Sequence, residues 1–179
     1  SPLLPNLRME GRSKCLCTSE LMPKNNHSIG NAGEFYVLAQ LAQRGYIAGK
    51  TDDGQTLIDI IATDPETLKA VNIQVKTTKD ESPDWLMSKK NEQHFESLWY
   101  VLVHLHGENI IPDFYIFHSY EVGPWLKDDH SQWLATPKRN GEPRKDGNLR
   151  HFSPNEEQLS NAKNGWDLMF DKPFKEDRS

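Results

Sequence analysis

The sequence predicts an α/β or α+β fold in which a leading helix is followed by a mixed central sheet flanked by helices. Three observations support this prediction: a helical apolar period over residues 28–44, strict alternation over residues 71–78, and apolar runs at 99–105 and 113–118. In chain order they give a helix, a three-strand region, a crossover and two further strands. The length of 179 residues suits one compact domain.

Composition excludes several classes of function. The chain has 21 basic and 26 acidic residues, a net charge of −5, which argues against coating nucleic acid by bulk charge. No apolar run approaches the ~18 residues that a membrane span needs. The two cysteines, Cys15 and Cys17, are too few for a disulfide framework or a zinc site of their own. We therefore expect free thiols in a reducing, cytoplasmic compartment.

The domain boundaries are predicted from where the periodicity begins. Residues 1–28 show no period and no cleavable signal, so we expect a flexible N-terminal arm or an upstream segment, with a natural start near Met22. Residues 29–179 are predicted to form a single domain. Its core is expected at 29–118, and a C-terminal loop and helix extension at 119–179.

The leading helix is predicted to carry a carboxylate on its buried face. The helical period places the apolar residues Val37, Leu38 and Leu41, widened by Phe35, Ala39 and Ala42, on one side. Glu34 lies near the middle of this face, and Gly45 supplies a helix stop. A lone buried carboxylate is costly unless it is paired or bound to a metal. Glu34 is therefore either a capped residue near the helix start or a site residue.

The next two strands also carry polar groups where a core strand should be apolar. The run 57–62 contains Asp59, and residues 71–78 alternate with Val71, Ile73 and Val75 on one side. The tight connection predicts an antiparallel hairpin. Residues two apart in a strand point the same way, so Gln74 and Lys76 project together, and Asp59 can face them from the neighbouring strand.

The remaining elements complete the sheet. Residues 79–97 are polar and are expected to cross over, and the apolar runs 99–105 and 113–118 read as neighbouring strands. A helix is expected from Ser119, as its cap, to Lys127. Residues 128–150 read as a loop, and 152–170 as a short helix with a tail anchored by Trp166.

These polar groups together form a set suited to a hard cation. Mg²⁺ prefers oxygen ligands, which the Asp59 carboxylate, the Gln74 amide, the Val75 carbonyl and Glu34 can supply. Lys76 beside the ion would orient or deprotonate a water and offset the charge that develops on a phosphate. This is the chemistry of phosphodiester hydrolysis.

At these residues the chain resembles the PD-(D/E)XK nuclease superfamily, in its restriction endonuclease-like and Holliday junction resolvase-like branches. Ile58-Asp59 stands for the PD element, and Gln74-Val75-Lys76, after fourteen residues, stands for (D/E)XK in a QxK form. The helix bearing Glu34 is similar to the family's leading helix. The resemblance spans residues 29–118 and implies a restriction endonuclease-like αβββαβ core and a Mg²⁺-dependent DNA endonuclease, with Mn²⁺ as an alternative ion. Gln74 replaces the usual acid, which should weaken metal binding.

DNA is the partner that this resemblance implies, and local basic clusters supply candidate phosphate contacts. The first cluster is predicted at Lys79, Lys89 and Lys90, and the second at Lys138, Arg139, Arg144, Lys145 and Arg150. One such site cuts one strand, so a homodimer or a larger restriction or repair assembly is expected for double-strand cleavage.

Three other interpretations stay open. A catalytically impaired nuclease fold would serve as a DNA-binding or protein-interaction module. His104, His106 and His118, on adjacent predicted strands, suggest a zinc site, although no cysteine or carboxylate is evident in the sequence to complete it. The structural alternative reads Glu34 as a cap and Lys76 as a solvated edge residue.

Overall fold

The computed structural model describes residues 26–52 and 57–171. The predicted N-terminal arm lies almost entirely outside the described residues. The α-helices are α1 (Asn26–Gln43), α2 (Ser119–Ala135) and α3 (Glu156–Ala162). The strands are β1 (Ile47–Lys50), β2 (Ile60–Thr63), β3 (Ala70–Thr78), β4 (Trp85–Ser88), β5 (Leu98–His104), β6 (Asp113–His118) and β7 (Leu149–Phe152). Two 3-10 helices span Lys89–Glu92 and Trp166–Phe170.

A mixed five-stranded sheet of order β1-β2-β3-β5-β6 forms the centre of the structure. The β3–β5 pair is parallel and the other three pairs are antiparallel. The predicted α+β class and the order of helix, three strands, crossover and two strands are confirmed. The crossover itself contains β4 and the 3-10 helix Lys89–Glu92, and β4 pairs with β7 in a second, two-stranded sheet.

Each face of the sheet packs against its own apolar layer. On the first face, Val37 and Leu41 of α1 and the C-terminal 3-10 helix cover β3, β5 and β6. On the second face, Trp85 of β4 and residues of α2, β7 and α3 form an apolar layer with β5 and β6. Because β3 alternates, Val71, Ile73 and Val75 belong to the first face, and Gln74 and Lys76 belong to the second.

The buried stripe of α1 is narrower than the sequence predicts. Phe35, Ala39 and Ala42 are exposed, and the closest contact with the sheet is made at Gly33. A Cβ atom at Gly33 would lie 1.9 Å from Thr77 Oγ1, so only glycine permits this approach of helix to strand. The wider apolar arc predicted for this helix is therefore wrong.

Three further predictions are corrected by the structure. Asp59 precedes β2 and does not lie inside it. Ser119 is not the cap of α2: His118 takes that role, its Nδ1 accepting from the Tyr120 N–H, while Ser119 Oγ bonds the backbone of Phe95. The predicted loop 128–150 contains the last turns of α2 and the start of β7.

None of the described helices is long and apolar enough to cross a membrane.

Candidate active site

The candidate site forms where β2 and β3 separate. Their ladder runs from Thr63 paired with Ala70 to Ile60 paired with Ile73. Beyond the ladder, the Asp59 carboxylate takes the place of a backbone carbonyl as the acceptor for β3. Asp59 Oδ2 accepts a hydrogen bond of 2.7 Å from the Val75 N–H. The N–H and C=O of one strand residue point to the same side, so the Val75 carbonyl faces the same gap.

Helix α1 brings Glu34 to this gap. Because Gly33 rests directly against β3, the next residue lies beside the end of β1. Glu34 Oε2 is 2.6 Å from Lys50 Nζ, and both side chains are largely buried. Sequence reasoning missed Lys50. Its only signal is its position at the end of β1, where it pairs with Ile60 next to Asp59.

Four ionisable side chains share this gap, and we call Glu34, Lys50, Asp59 and Lys76 the notch. Burial raises the pKa of Asp59, the Val75 N–H opposes that shift, Glu34 raises the pKa further, and Lys76 and Lys50 lower it. Burial lowers the pKa of Lys76, while Asp59 and Glu34 raise it. Glu34, Asp59 and Lys76 therefore lie within electrostatic reach of one another. Two carboxylates and two ammonium groups give the notch no net charge when all are ionised.

Gln74 adjoins the notch but its amide oxygen faces a buried asparagine. Gln74 is 6% exposed, and its Oε1 accepts from Asn91 Nδ2 at 2.5 Å. Asn91 also donates to the Tyr100 hydroxyl at 3.0 Å, and its Oδ1 accepts from the N–H and hydroxyl of Ser88. All hydrogen-bonding groups of the Asn91 amide are used, so its orientation is fixed. Gln74 therefore keeps one lone pair of its amide oxygen for another partner.

Asn91 and Tyr100 were not predicted as site residues. Asn91 lies on the 3-10 helix of the crossover, and Tyr100 faces Gln74 across the β3–β5 ladder. Burial raises the pKa of the Tyr100 hydroxyl, Asn91 opposes the shift, and the charge of Asp59 adds to it. Tyr100 is therefore a neutral hydrogen-bonding group.

The donor atoms around the gap fit a hard divalent cation. Two carboxylates, the Val75 carbonyl and the remaining lone pair of Gln74 are all oxygen ligands, which Mg²⁺ and Mn²⁺ accept. The Lys50 ammonium already holds Glu34, so a cation that uses Glu34 must displace this pair.

The predicted basic residues lie in two segments of the chain, and all of them are exposed except the half-buried Arg144 and the buried Arg150. Lys89 and Lys90 begin the 3-10 helix that carries Asn91, and Lys79 follows β3 directly. The other cluster, Lys138, Arg139, Arg144 and Lys145, lies between α2 and β7. Lys89 Nζ is 3.0 Å from Asp146 Oδ2, which ties the two clusters together.

Arg150 does not belong to this basic surface. It is 3% exposed, and its Nε donates to Glu92 Oε1 at 2.5 Å while Nη1 binds the carbonyls of Gly147 and Leu149. The prediction that it contacts nucleic acid is corrected, because its guanidinium holds β7 to the crossover.

The predicted histidines are not all together. The rings of His104 and His106 lie 4.3 Å apart between centroids, on one side of the end of β5. His118 packs edge-on against Trp99 and contacts the Glu96 carbonyl. The third residue beside His104 and His106 is Asp113 and not His118. The sequence analysis did not identify Asp113 as a ligand.

No protein-family model and no curated protein sequence matches the chain. Among solved structures, a bacterial homing endonuclease is 11% identical with a TM-score of 0.48, over 81% of this chain and 91% of its own. A Holliday junction resolvase from Archaeoglobus fulgidus, an archaeal hyperthermophile, is 14% identical with a TM-score of 0.47, over 82% of this chain and 98% of its own. Both are restriction endonuclease-like in fold, as the sequence resemblance implies for this chain. Identities this low describe a likeness of architecture alone.

Proposed function

We propose that this chain is a metal-dependent endonuclease that hydrolyses DNA phosphodiester bonds. The observation that supports this most is the meeting of Glu34, Asp59 and Lys76 beside Gln74 and Val75, at the point where β2 and β3 separate. A largely buried lysine and two carboxylates in one gap are typical of a functional site. Each of the three groups loses hydration there, which ordinary surface residues do not.

The oxygens of Glu34, Asp59, Gln74 and Val75 would hold Mg²⁺ or Mn²⁺. Such an ion, when bound, supplies positive charge that acidifies water and polarises a phosphodiester. Asp59 is oriented for this role by the Val75 N–H. Lys76 gives up its proton more readily than an exposed lysine because burial lowers its pKa. It is therefore suited to accept a proton from an attacking water or to hold that water by a hydrogen bond.

The exposed basic clusters would contact the DNA backbone. Lys79, Lys89 and Lys90 are the nearest to the notch along the chain, and the cluster at 138–145 is tied to them through Asp146. Because the chain is acidic overall, binding is expected to be local and salt-sensitive. A homodimer or a larger restriction or repair assembly in the cytoplasm belongs to the same proposal.

A second candidate function is a nuclease fold that binds DNA or a protein without cutting. Two contacts favour it: Lys50 holds Glu34, and Asn91 holds the amide oxygen of Gln74. Both reduce the negative charge and the lone pairs offered to a cation.

A cleavage assay distinguishes the two. The purified chain is incubated with supercoiled and with branched DNA plus Mg²⁺ or Mn²⁺, beside Asp59→Asn and Lys76→Met. We expect each substitution to reduce cleavage by about a hundredfold or more, since each removes a metal ligand or an acid–base group. Lys69→Met, on the turn before β3 and paired with Asp171, is the matched control and should cut like wild type.

The same assay contains the contradicting results. Equal cleavage by wild type and Lys76→Met would rule out the role of Lys76. DNA retention in a gel-shift measurement without cleavage under any condition would support the non-catalytic candidate instead.

A further inference from the structure

A compact cluster of two imidazoles and one carboxylate lies at the C-terminal end of β5, across the ladder from the start of β6. His104 ends β5, His106 follows two residues later, and Asp113 begins β6 directly opposite His104. Cross-strand pairing and the two-residue repeat of a strand therefore bring the three side chains together. One ligand atom from each lies within 4.8 Å of the others.

The contacts of His104 prepare it for a metal ion. His104 Nε2 is 2.8 Å from the carbonyl oxygen of Asp80. A carbonyl only accepts, so Nε2 carries the proton and Nδ1 retains the lone pair. A histidine whose second ring nitrogen donates to a carbonyl is the usual arrangement of a metal-binding imidazole.

The other two side chains have partners that an ion must replace. His106 Nε2 is 2.9 Å from Asp113 Oδ2, and Lys163 Nζ is 2.8 Å from Asp113 Oδ1. Zinc holds its nitrogen ligands at about 2.0–2.1 Å, so the ligand atoms must approach one another further. His106 and Asp113 are 34% and 30% exposed, which leaves both side chains room to turn.

The cluster is also accessible. A cavity of about 670 Å³ between α1 and the β5–β6 connection is lined by His104, His106 and Lys79, and by Tyr36 of α1. Three protein ligands leave a coordination position for water, and this cavity supplies the space for it.

We propose that His104, His106 and Asp113 bind a divalent transition-metal ion, with Zn²⁺ preferred. Imidazole nitrogen with one carboxylate suits Zn²⁺ and similar ions, whereas Mg²⁺ selects sites of oxygen alone. This site is separate from the notch in its strands and in its ligand atoms, so it does not depend on the proposed nuclease function.

The test is a calorimetric titration of the full-length, EDTA-treated chain with Zn²⁺ alone. Cys15 and Cys17 are replaced by serine in every protein, so that thiolates cannot bind the ion. We expect one Zn²⁺ per chain, and a loss of affinity of at least about tenfold in His106→Ala. The matched control is His151→Ala, because His151 Nδ1 also pairs with a carboxylate, Asp84, at 2.8 Å but, among the side chains that the structure describes, is not grouped with a second imidazole. This control should bind as wild type does.

Two further variants keep the result decisive. Asp113→Asn removes the carboxylate at constant size and should weaken Zn²⁺ as His106→Ala does, with circular dichroism confirming the fold. Asp59→Asn should leave the affinity unchanged, and a loss there would place the ion in the notch and overturn the proposal. Failure of wild type to bind one ion, or equal affinity in wild type and His106→Ala, would also overturn it.

Discussion

The notch and the histidine cluster are two polar groups in one sheet with a common design and different ligand atoms. In each, a lysine holds one carboxylate: Lys50 lies 2.6 Å from Glu34, and Lys163 lies 2.8 Å from Asp113. The notch offers only oxygen ligands, whereas the cluster at the end of β5 offers two imidazoles. Ligand chemistry therefore predicts a hard cation at one and a borderline cation at the other.

The two also differ in how they are assembled. The notch needs α1, β1, β2 and β3 to pack correctly, and its neighbour Gln74 needs the crossover. The histidine cluster takes all three ligands from the β5–β6 hairpin. Changes in long-range packing should therefore damage the notch and spare the cluster.

The largest expected effect of such a change is at Asn91. Asn91→Leu leaves the Gln74 oxygen, the Tyr100 hydroxyl and the Ser88 N–H without their buried partner. We expect a loss of about 3 kcal/mol or more of unfolding free energy by urea denaturation, and reduced DNA cleavage. Zn²⁺ affinity should be retained in the folded fraction. Asn161→Leu, at an exposed position, is the control, and an equal loss in both variants would contradict the role of this network.

A second test displaces α1 without replacing a polar side chain. Gly33→Ala places a methyl group against Thr77 Oγ1, and we expect it to lower the unfolding free energy by about 1–3 kcal/mol. Gly30→Ala lies in the same helix with open space around it, and should raise the free energy by about 0.5–1 kcal/mol. If both variants are stabilised, α1 does not rest on β3 as described. Co²⁺ spectra of the histidine cluster should be the same in both.

The smallest expected effect is a change in metal affinity when Lys50 or Lys163 is replaced. Removing a competing ammonium should strengthen the cation site beside it, so Lys50→Gln should bind Mn²⁺ about tenfold more tightly, and Lys163→Gln should do so for Zn²⁺. Lys138→Gln, which loses only an exposed pair with Glu142, should change neither affinity. Calorimetric titrations measure both. A gain for the same ion in both lysine variants would show that the two sites are not distinct.

The sequence predicts those parts of the site in which a polar residue interrupts a local period. Glu34 interrupts an apolar helix face, Asp59 an apolar run, and Gln74 and Lys76 share the parity of an alternating strand. The same local periods predict β3, β5 and β6 to within one residue at each end. Composition and order then suffice for the α+β class.

The missed residues are those whose role depends on distant partners. Lys50 and Asn91 occupy ordinary polar positions, and only the tertiary fold brings them to Glu34 and Gln74. Asp113 is the first residue of the predicted strand 113–118, and its place beside His104 depends on the register of the hairpin, which the sequence does not reveal. Arg150 reads as a surface cation until β7 pairs with β4 and buries it.

The ion pair between Arg150 and Glu92 has a consequence for local unfolding. It fastens the C-terminal strand β7 to the crossover that carries Asn91, and β4 pairs with β7 along the whole length of both strands. We therefore expect these segments to open together, as one cooperative unit. In native-state hydrogen exchange, we expect the amide protons of β4 and β7 to share one opening free energy. The partner of Gln74 is thus held by segments that pair with each other in a sheet of their own, outside the hydrogen-bonded ladder of the central strands.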